Sequence, residues 1–251
     1  MQTYWVVIFF IFGSVLGSFF NVVGLRLPKN ISFSHDRSYC PTCQRQLRWY
    51  ELIPIFSFLF QKGKCRGCES RISFMYPFIE LSTALLFVYS YLEIGFDLEL
   101  ITALIFISML MIIFVADKTY MLIPNKILLF FLPLILLMRV ISPLHPWYDA
   151  LIGAGIGVIL LSIIIILSKG GMGGGDMKLF GVLGLVLGWK GVLLTLFIAS
   201  LLGSLMGIVL IIIHRVNRKQ PIPFGPFIII AALITYFFGN ELIVAYFSLF
   251  N

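Results

Sequence analysis

YWVVIFFIFGSVLGSFFNVVGL, residues 4–25, is an uncharged run long enough to cross a bilayer as one helix, which takes about 20 mostly apolar residues. No basic residue precedes the run, whereas Arg26 and Lys29 follow it. A secretory signal has its basic residues before the apolar region and a small-residue cleavage site after it. We therefore interpret residues 4–25 as a retained first span whose amino terminus lies outside the cell.

The rest of the chain is composed in the same way. Of its 251 residues, 60% are hydrophobic and only 12% are charged, and the mean hydropathy is +1.04. Soluble domains carry about 25% charged residues, so lipid is the solvent that fits this composition. We predict an all-α polytopic membrane protein of about eight spans, at roughly residues 4–24, 76–93, 99–116, 126–142, 149–168, 178–189, 191–213 and 225–248.

The basic residues favour one orientation of these spans. With the amino terminus outside, 16 of the 18 Lys and Arg residues fall on the inner side, and only Arg139 and Lys190 lie near outer ends. The inner set comprises nine residues from Arg26 to Arg71, followed by Lys118, Lys126, Lys169, Lys178, Arg215, Arg218 and Lys219. Cytoplasmic loops retain positive charge, so we predict that both termini lie outside. Topology and anionic lipid account for the net charge of +7, and no nucleic-acid partner is needed.

Residues 26–73 form a long polar stretch, which we interpret as a small cytoplasmic subdomain resembling a zinc ribbon. It contains Cys40-Pro-Thr-Cys43 and, 21 residues later, Cys65-Arg-Gly-Cys68. Two such turns supply four thiolates, which suits a tetrahedral structural zinc that would contribute folding energy. The alternatives are two disulfides or free thiols, and a cytoplasmic location disfavours disulfides. Four cysteine ligands leave no open position for a catalytic metal.

Two acidic residues stand apart from those in the loops. Asp117 directly follows the apolar stretch at residues 111–116, and Asp176 ends the glycine-rich segment at residues 170–176. In the predicted topology both lie at the cytoplasmic face, where two spans can bring them together. Two carboxylates in apolar surroundings share one proton, so one acts as general base on water while the other polarises a carbonyl. This division of labour is that of an aspartyl protease.

Each of these acids also has a simpler interpretation. Asp117 alone fits a solvated residue at the membrane interface. Asp176 alone fits a helix-capping residue that follows a flexible loop. The glycines before Asp176 leave the backbone uncovered, which is tolerated at membrane depth only around a cavity or inside protein. Such a cavity would admit an extended substrate strand.

Six segments in order resemble one known family over nearly the whole chain. They are GSFFNVVGLRLP at residues 17–28, the two CxxC turns, YPFIE at residues 76–80, Asp117 with Ile123-Pro124-Asn125, Gly173-x-Gly175-Asp176-x-Lys178, and PFGP at residues 223–226. The chain thereby resembles the type IV prepilin peptidases, or leader peptidase/N-methyltransferases, of the GxGD group of intramembrane aspartyl proteases.

The resemblance implies a bifunctional enzyme of the bacterial inner membrane. It would cut the basic leader of a prepilin or pseudopilin after the glycine that precedes the mature first residue. It would then methylate the new α-amine, with S-adenosylmethionine as the methyl donor. Asp117 and Asp176 would be the catalytic pair, and the matching motifs assign supporting positions to Gly173, Gly175, Lys178, Pro124 and Asn125.

By the same resemblance, the first motif and the cytoplasmic loop would carry methyl transfer. The candidate residues are Asn21, Arg26 and Glu80. Asn21 alternatively fits an interhelical hydrogen-bond donor, and Arg26 a positive-inside anchor. We accordingly divide the chain into a first transmembrane helix at residues 1–25, the tetracysteine subdomain at 26–73, and a multi-span peptidase domain at 74–251.

Three other functions compete with this interpretation. A transporter or channel with an accessory zinc site would also place acids in the membrane. Against it, Asp117 and Asp176 lie at one face, and no inverted pair of broken helices is evident. A non-catalytic scaffold leaves the glycine run and the paired acids unexplained. A peptidase that lacks methyl transfer remains open.

Overall fold

The computed structural model describes residues 2–31, 38–168, 172–213 and 223–248, and within these ranges it contains helices but no strand. The α-helices are α1 (Gln2–Arg26), α2 (Phe56–Phe60), α3 (Met75–Ile94), α4 (Leu98–Tyr120), α5 (Asn125–Ile141), α6 (Asp149–Leu167), α7 (Gly174–Ile212) and α8 (Gly225–Ser248). The all-α prediction is confirmed. By packing, the chain divides into two compact units, Met1–Ala116 and Asp117–Asn251.

Small residues let α1 and α3 approach closely in the first unit. A Cβ atom on Gly13 would lie 2.7 Å from the Cα of Ala84, and one on Gly17 would lie 2.8 Å from the Cα of Glu80. Neither backbone atom can move aside as a flexible side chain would. Small residues on the first span thus allow close helix packing.

Helix α4 follows α3 after a short turn and is apolar along most of its length. Phe106, Ile107 and Leu110 have no exposed surface. Gly24 of α1 lies against it, where a Cβ would meet the side chain of Val115 at 2.7 Å. A helix that is hydrophobic all round belongs in an interior, and α4 occupies the core of its unit.

Close backbone contacts also define the second unit. A Cβ on Gly153 of α6 would lie 2.6 Å from the carbonyl oxygen of Gly184 on α7, and one on Gly157 would lie 2.5 Å from that of Phe180. The two helices are antiparallel, because Gly153 lies against Gly184 whereas Gly157, one turn later in α6, lies against Phe180, one turn earlier in α7. Glycine on both helices is what allows this separation.

Helix α7 folds back on itself at Gly188. Its 39 residues would extend about 58 Å if straight, and Asp176 and Ser200 would then lie about 36 Å apart. Both nevertheless line one cavity. The break is at Gly188, whose φ of 68° and ψ of −179° are not helical. Residues before it pack on α6, whereas Gly191 after it packs on Thr235 of α8.

This reversal reconciles the predicted and observed spans. Six helices in the described ranges are long and apolar enough to cross a membrane, and α7 is one of them. The predicted spans 178–189 and 191–213 correspond to the two helical arms of α7, which meet at the break at Gly188. The predicted span 126–142 is α5, which is not among the six because its 17 residues make it shorter than each of them. The basic residues Lys169, Arg215, Arg218 and Lys219, used for the orientation, lie outside the described ranges.

Arg139 is buried beside the break in α7. Its guanidinium donates hydrogen bonds to the carbonyl oxygens of Val186, at 2.9 Å, and of Ser142, at 3.3 Å. A break at Gly188 deprives the carbonyls just before it of their regular helical partners. Arg139 supplies a donor to one of them, and only 8% of its surface is exposed. Its role is therefore interhelical.

We expect Gly188→Ala to destabilise the protein. The substitution places a side chain at positive φ, and the new Cβ would collide with the carboxylate of Asp149. The expected loss is about 1–3 kcal/mol, seen as a lower melting temperature in detergent. Gly155→Ala is the matched control, because a Cβ there meets no atom within 4 Å. Equal melting temperatures for the two variants would show that position 188 does not require glycine.

Candidate active site and metal centre

Asp117 lies in the last turn of α4 and is 5% exposed. Its Oδ2 accepts a hydrogen bond from the backbone N–H of Gly225, 3.1 Å away at the start of α8. A Cβ on Gly225 would lie 2.5 Å from the same oxygen and 2.7 Å from the carboxyl carbon. Only glycine therefore allows this N–H to reach the carboxylate without displacing it.

Asp176 is the third residue of α7 and is 9% exposed. Gly173 is the N-cap, with extended φ and ψ of −77° and 144°, and its backbone also hydrogen-bonds the Asp176 carboxylate. Acids in the first turn are stabilised by the partial positive charge of a helix amino terminus. The side chain does more than cap the helix, because it is buried and lines a cavity.

The two carboxylates share this cavity, whose volume is about 680 Å³. They are close enough for the charge of Asp117 to act on Asp176. The remaining lining is largely apolar and comes from Met121, Leu122, Ile123, Ile164, Ser168, Met172, Gly173, Gly174, Gly175, Ser200, Pro223 and Phe224. A concave, mostly apolar site with a few convergent polar groups is the usual form of a ligand-binding or catalytic site.

The supporting residues expected from the motifs separate into two groups. Gly173 and Gly175 line the cavity. Lys178 and Asn125 are absent from the described lining and instead bond to each other, the Lys178 Nζ donating to the Asn125 Oδ1 at 3.0 Å. Pro124 is the buried N-cap of α5. These three residues connect the start of α5 to the start of α7.

Sequence reasoning missed most of the cavity wall. Ser200 lies on the second arm of α7, and its position depends on the fold-back at Gly188. Phe224 belongs to the PFGP segment, which was noted as a motif but not as part of the site. No local pattern distinguishes such apolar wall residues from ordinary lipid-facing ones.

The four cysteines form one cluster in the first unit. The Sγ atoms of Cys40 and Cys68 are 3.8 Å apart and those of Cys43 and Cys65 are 4.0 Å apart, and all four lie within 4.8 Å of one another. A tetrahedral zinc with Zn–S bonds of about 2.3 Å places its sulfurs about 3.8 Å apart. A disulfide would bring two sulfurs to about 2.05 Å, so the thiols are free.

The two CxxC turns have the same backbone geometry. Gln44 and Glu69, one residue after each turn, both have positive φ, of 59° and 56°. In each turn the first cysteine's N–H donates to the carbonyl five residues later, at 2.9 Å, and its own carbonyl accepts from the residue at positive φ, at 2.9 Å. This repeat confirms that the turns are equivalent and presents their sulfurs to a common centre.

Backbone N–H groups also face the sulfurs. Those of Cys43 and Thr42 lower the pKa of the Cys40 thiol to about 6. Those of Gly67 and Cys68 lower the pKa of Cys65 in the same way. Donors of this kind favour the thiolate, which is the form that binds a metal.

An ion pair between the half-buried Arg45 and the buried Glu51 supports the cluster from one side. The Arg45 guanidinium donates to both carboxylate oxygens of Glu51, at 2.7 and 3.1 Å, and the backbone N–H of Arg48 donates to the same carboxylate at 2.8 Å. The Arg45 hydrogen bonds hold the pKa of Glu51 below its usual range. Bidentate pairing fixes the Arg45 side chain next to the second turn, where a Cβ on Gly67 would lie 3.0 Å from its Nε.

The residues expected for methyl transfer lie where α1 meets α3. The Asn21 Nδ2 donates to the carbonyls of Gly17 and Tyr76, both at 3.2 Å, while its buried Oδ1 has no donor among the described residues. The Glu80 carboxylate accepts the backbone N–H of Ile55 at 2.7 Å. Asn21 thus donates hydrogen bonds to both α1 and α3, as the interhelical alternative predicts. These bonds use its Nδ2 and do not involve its Oδ1. Arg26 ends α1 and is half-buried.

Fold and site together define a polytopic helical membrane protein with a two-carboxylate cavity and a four-cysteine centre. Residues 11–94 match the model described as the Bacterial Peptidase A24 N-terminal domain, and residues 104–208 match that of the Type IV leader peptidase family. The chain belongs to the type IV leader peptidase family.

Curated relatives extend over almost the whole chain. A protein of Bacillus subtilis (strain 168) is 48% identical over 239 residues, which is 95% of this chain and 96% of the relative. One of Aeromonas salmonicida (strain A449) is 35% identical over 95% of this chain and 92% of its own length. One of Pseudomonas aeruginosa is 31% identical over 93% and 90%. Each is named prepilin leader peptidase/N-methyltransferase. No solved structure matches this chain.

We expect Cys40→Ser and Cys65→Ser each to abolish metal binding, because a tetrahedral thiolate site loses one of four ligands. The measurement is metal content by mass spectrometry after purification, with absorption of the cobalt(II)-loaded protein as the spectroscopic check. Thr42→Ala is the matched control within the first turn. Retention of cobalt(II) absorption by a cysteine variant would show that the four sulfurs do not form the site.

Proposed function

We propose that this chain cleaves the leader of prepilins or pseudopilins, with Asp117 and Asp176 as the catalytic pair. It also methylates the newly exposed amino terminus. Family membership and the names of the relatives support both activities. The single observation that carries the assignment of residues is that two buried carboxylates on separate helices line one cavity.

The chemistry is hydrolysis of a peptide bond by two carboxyl groups. One of the pair is ionised and takes a proton from water as the water oxygen bonds to the scissile carbonyl carbon. The other is protonated and donates to the carbonyl oxygen, so that a neutral tetrahedral intermediate forms. The intermediate collapses as its nitrogen is protonated and the carbon–nitrogen bond breaks. Because the two groups exchange one proton, the pair titrates as a unit.

The glycines before Asp176 support a substrate that binds as an extended strand. Among the described residues, a Cβ on Gly174 would meet no atom within 4 Å, and one on Gly173 would make only ordinary contacts, the nearest at 3.6 Å to Asp176. Neither position therefore needs glycine for packing within the chain. Both are exposed along the cavity wall, where side chains would occupy the space of a ligand. A leader segment lying along this backbone would reach the carboxylates unobstructed.

The cysteine centre would hold zinc. Four thiolates at tetrahedral spacing fit this metal, and the subdomain has little apolar core of its own, so the metal would supply folding energy. Cys40, Cys43, Cys65 and Cys68 would be its ligands. With all four positions filled by sulfur, its role is structural.

Methyl transfer would involve Asn21 and Glu80. S-adenosylmethionine would supply an electrophilic methyl group to the amine. The buried Asn21 Oδ1 offers an acceptor for an amine or ammonium donor, and the Glu80 carboxylate lies on the facing helix. Arg26 is the third proposed residue, at the end of α1. These residues belong to the first unit, whereas the carboxylate pair belongs to the second.

We expect Asp117→Asn and Asp176→Asn each to lower leader cleavage about a thousandfold or more, because each removes one partner of the proton exchange. The assay follows cleavage of a purified prepilin in liposomes, with melting temperature as the test of folding. Wild-type rates in either folded variant would remove that residue from the catalytic pair. If the wild-type protein cuts no prepilin offered, the transporter and scaffold alternatives are favoured.

Gly225→Ala tests the same site without altering a carboxylate. The new methyl group would displace Asp117, and we expect about a hundredfold lower turnover from the misplacement. Gly155→Ala, in open space on α6, is the control. An unchanged rate in Gly225→Ala would show that the position of Asp117 is not critical.

For methyl transfer, we expect Asn21→Ala to lower incorporation of labelled methyl about tenfold, the order of a lost buried hydrogen bond, while cleavage continues. The substrate is a pre-cut pilin, so that methylation is measured separately from cleavage. If methylation, cleavage and melting temperature all fall together, Asn21 has only the interhelical role.

A further inference from the structure

The short helix α2 presents an apolar face that the described part of the protein does not cover. Phe56, Leu59 and Phe60 are 55%, 63% and 78% exposed. Their spacing of three and four residues places them on one side of the helical turn. The fourth large side chain, Phe58, points elsewhere, because its ring lies 3.1 Å from where a Cβ on Gly63 would be. We call the three exposed residues the α2 face.

The depth of α2 relative to α3 is fixed by Glu80. The backbone N–H of Ile55, directly before α2, donates to the Glu80 carboxylate at 2.7 Å. Glu80 is five residues into α3, about 7.5 Å along its axis from Met75. With 20 residues, α3 is about 30 Å long and just spans the hydrocarbon core. The start of α2 is therefore held near the boundary between headgroups and acyl chains.

An exposed apolar stripe of α3 lies beside α2. Phe74, Phe78, Leu81 and Leu85 are all at least 41% exposed and recur at helical spacing along one stripe. Phe74 ends this stripe and contacts Phe58 of α2, with ring centroids 6.1 Å apart. The rings of Phe58 and Phe74 thus join α2 to the exposed apolar stripe of α3.

Exposed basic residues accompany this surface. Lys62 follows α2 directly, and Lys64 and Arg71 pair across an isolated backbone bridge just before α3. Of the nearby described acids, Glu51 and Glu80 are buried and hydrogen-bonded to protein, whereas Glu69 is exposed after the second CxxC turn. An apolar face bordered by Lys and Arg is the combination that binds at an anionic bilayer surface.

The backbone at this junction is constrained. Ile55 has φ of 64° and ψ of −55°, which a β-branched residue rarely adopts. The same residue makes the hydrogen bond to Glu80. The strained turn directs the chain into α2 at the level of the second turn of α3.

We propose that α2 lies in the headgroup–acyl boundary of the leaflet that α3 enters, and that Phe56, Leu59 and Phe60 anchor the cysteine subdomain to lipid. The partner is the bilayer surface itself, and anionic headgroups meet the flanking basic residues. This anchor does not depend on the proposed catalytic activities. It gives Glu80 a positioning role, because Glu80 sets the depth of the anchor.

The test uses the full-length chain with one fluorescent reporter. Trp5, Trp49, Trp147 and Trp189 are replaced by Phe, and a single Trp is introduced by Phe60→Trp. The protein is reconstituted in vesicles of phosphatidylcholine and phosphatidylglycerol whose acyl chains are brominated or unmodified. Bromine quenches a Trp that reaches the acyl chains. Leu85→Trp, on the exposed stripe of α3, is the positive control.

Tyr39→Trp is the matched control, an exposed aromatic position in the same subdomain but outside the α2 face. We expect Phe60→Trp to lose about half or more of its emission in brominated vesicles, close to Leu85→Trp, as for side chains buried in an interface by 5–10 Å. Tyr39→Trp should lose little. Repeating the measurement in an Asp117→Asn background should give the same quenching, which separates this result from the proteolysis assay.

Two outcomes would overturn the proposal. In the first, Phe60→Trp is quenched no more than Tyr39→Trp although the protein melts at the wild-type temperature. In the second, lipid does not quench Phe60→Trp, but an added prepilin or a higher protein density shields it from a water-soluble quencher. The α2 face would then bind a substrate or a second copy of the chain.

Discussion

The fold-back of α7 at Gly188 is the constraint on which the second unit depends. It converts a helix too long for a bilayer into two arms, and it returns Ser200 to the level of Asp176. A side chain at positive φ is unfavourable, and the carboxylate of Asp149 fills the space where a Cβ would stand. Arg139 then supplies a donor to the carbonyl of Val186 beside the break.

The same unit must keep two acids out of water. Burial of an unpaired carboxylate is costly, and each of these has local compensation. Asp117 accepts the N–H of Gly225, which can approach only because that residue lacks a side chain. Asp176 lies in the first turn of α7, where the helix dipole and the Gly173 backbone favour negative charge. The part of the burial cost that is not compensated favours a proton on one of the two carboxylates, and that proton is available for transfer.

The first unit contains a polar subdomain that must fold beside the membrane helices. Its two CxxC turns repeat the same backbone geometry and present four sulfurs at tetrahedral spacing. Glu80 connects the subdomain to the membrane helices through the N–H of Ile55. Since Glu80 is also a methyl-transfer candidate, substitutions there alter position and chemistry together. Measurements of methylation therefore need the separate readout that Asn21 offers.

The sequence by itself determined the all-α membrane class and the cysteine cluster, and it predicted Asp117 and Asp176 as the acids of one site. Hydropathy, CxxC spacing and acids at apolar ends are local patterns, and each follows from solvation or ligand chemistry. Only the tertiary structure decided that Asp117 meets Gly225, more than a hundred residues away, and that Ser200 faces the cavity. It also turned Lys178 toward Asn125 rather than toward a carboxylate. Such contacts depend on how helices cross and fold back, and helical periodicity alone does not encode those geometries.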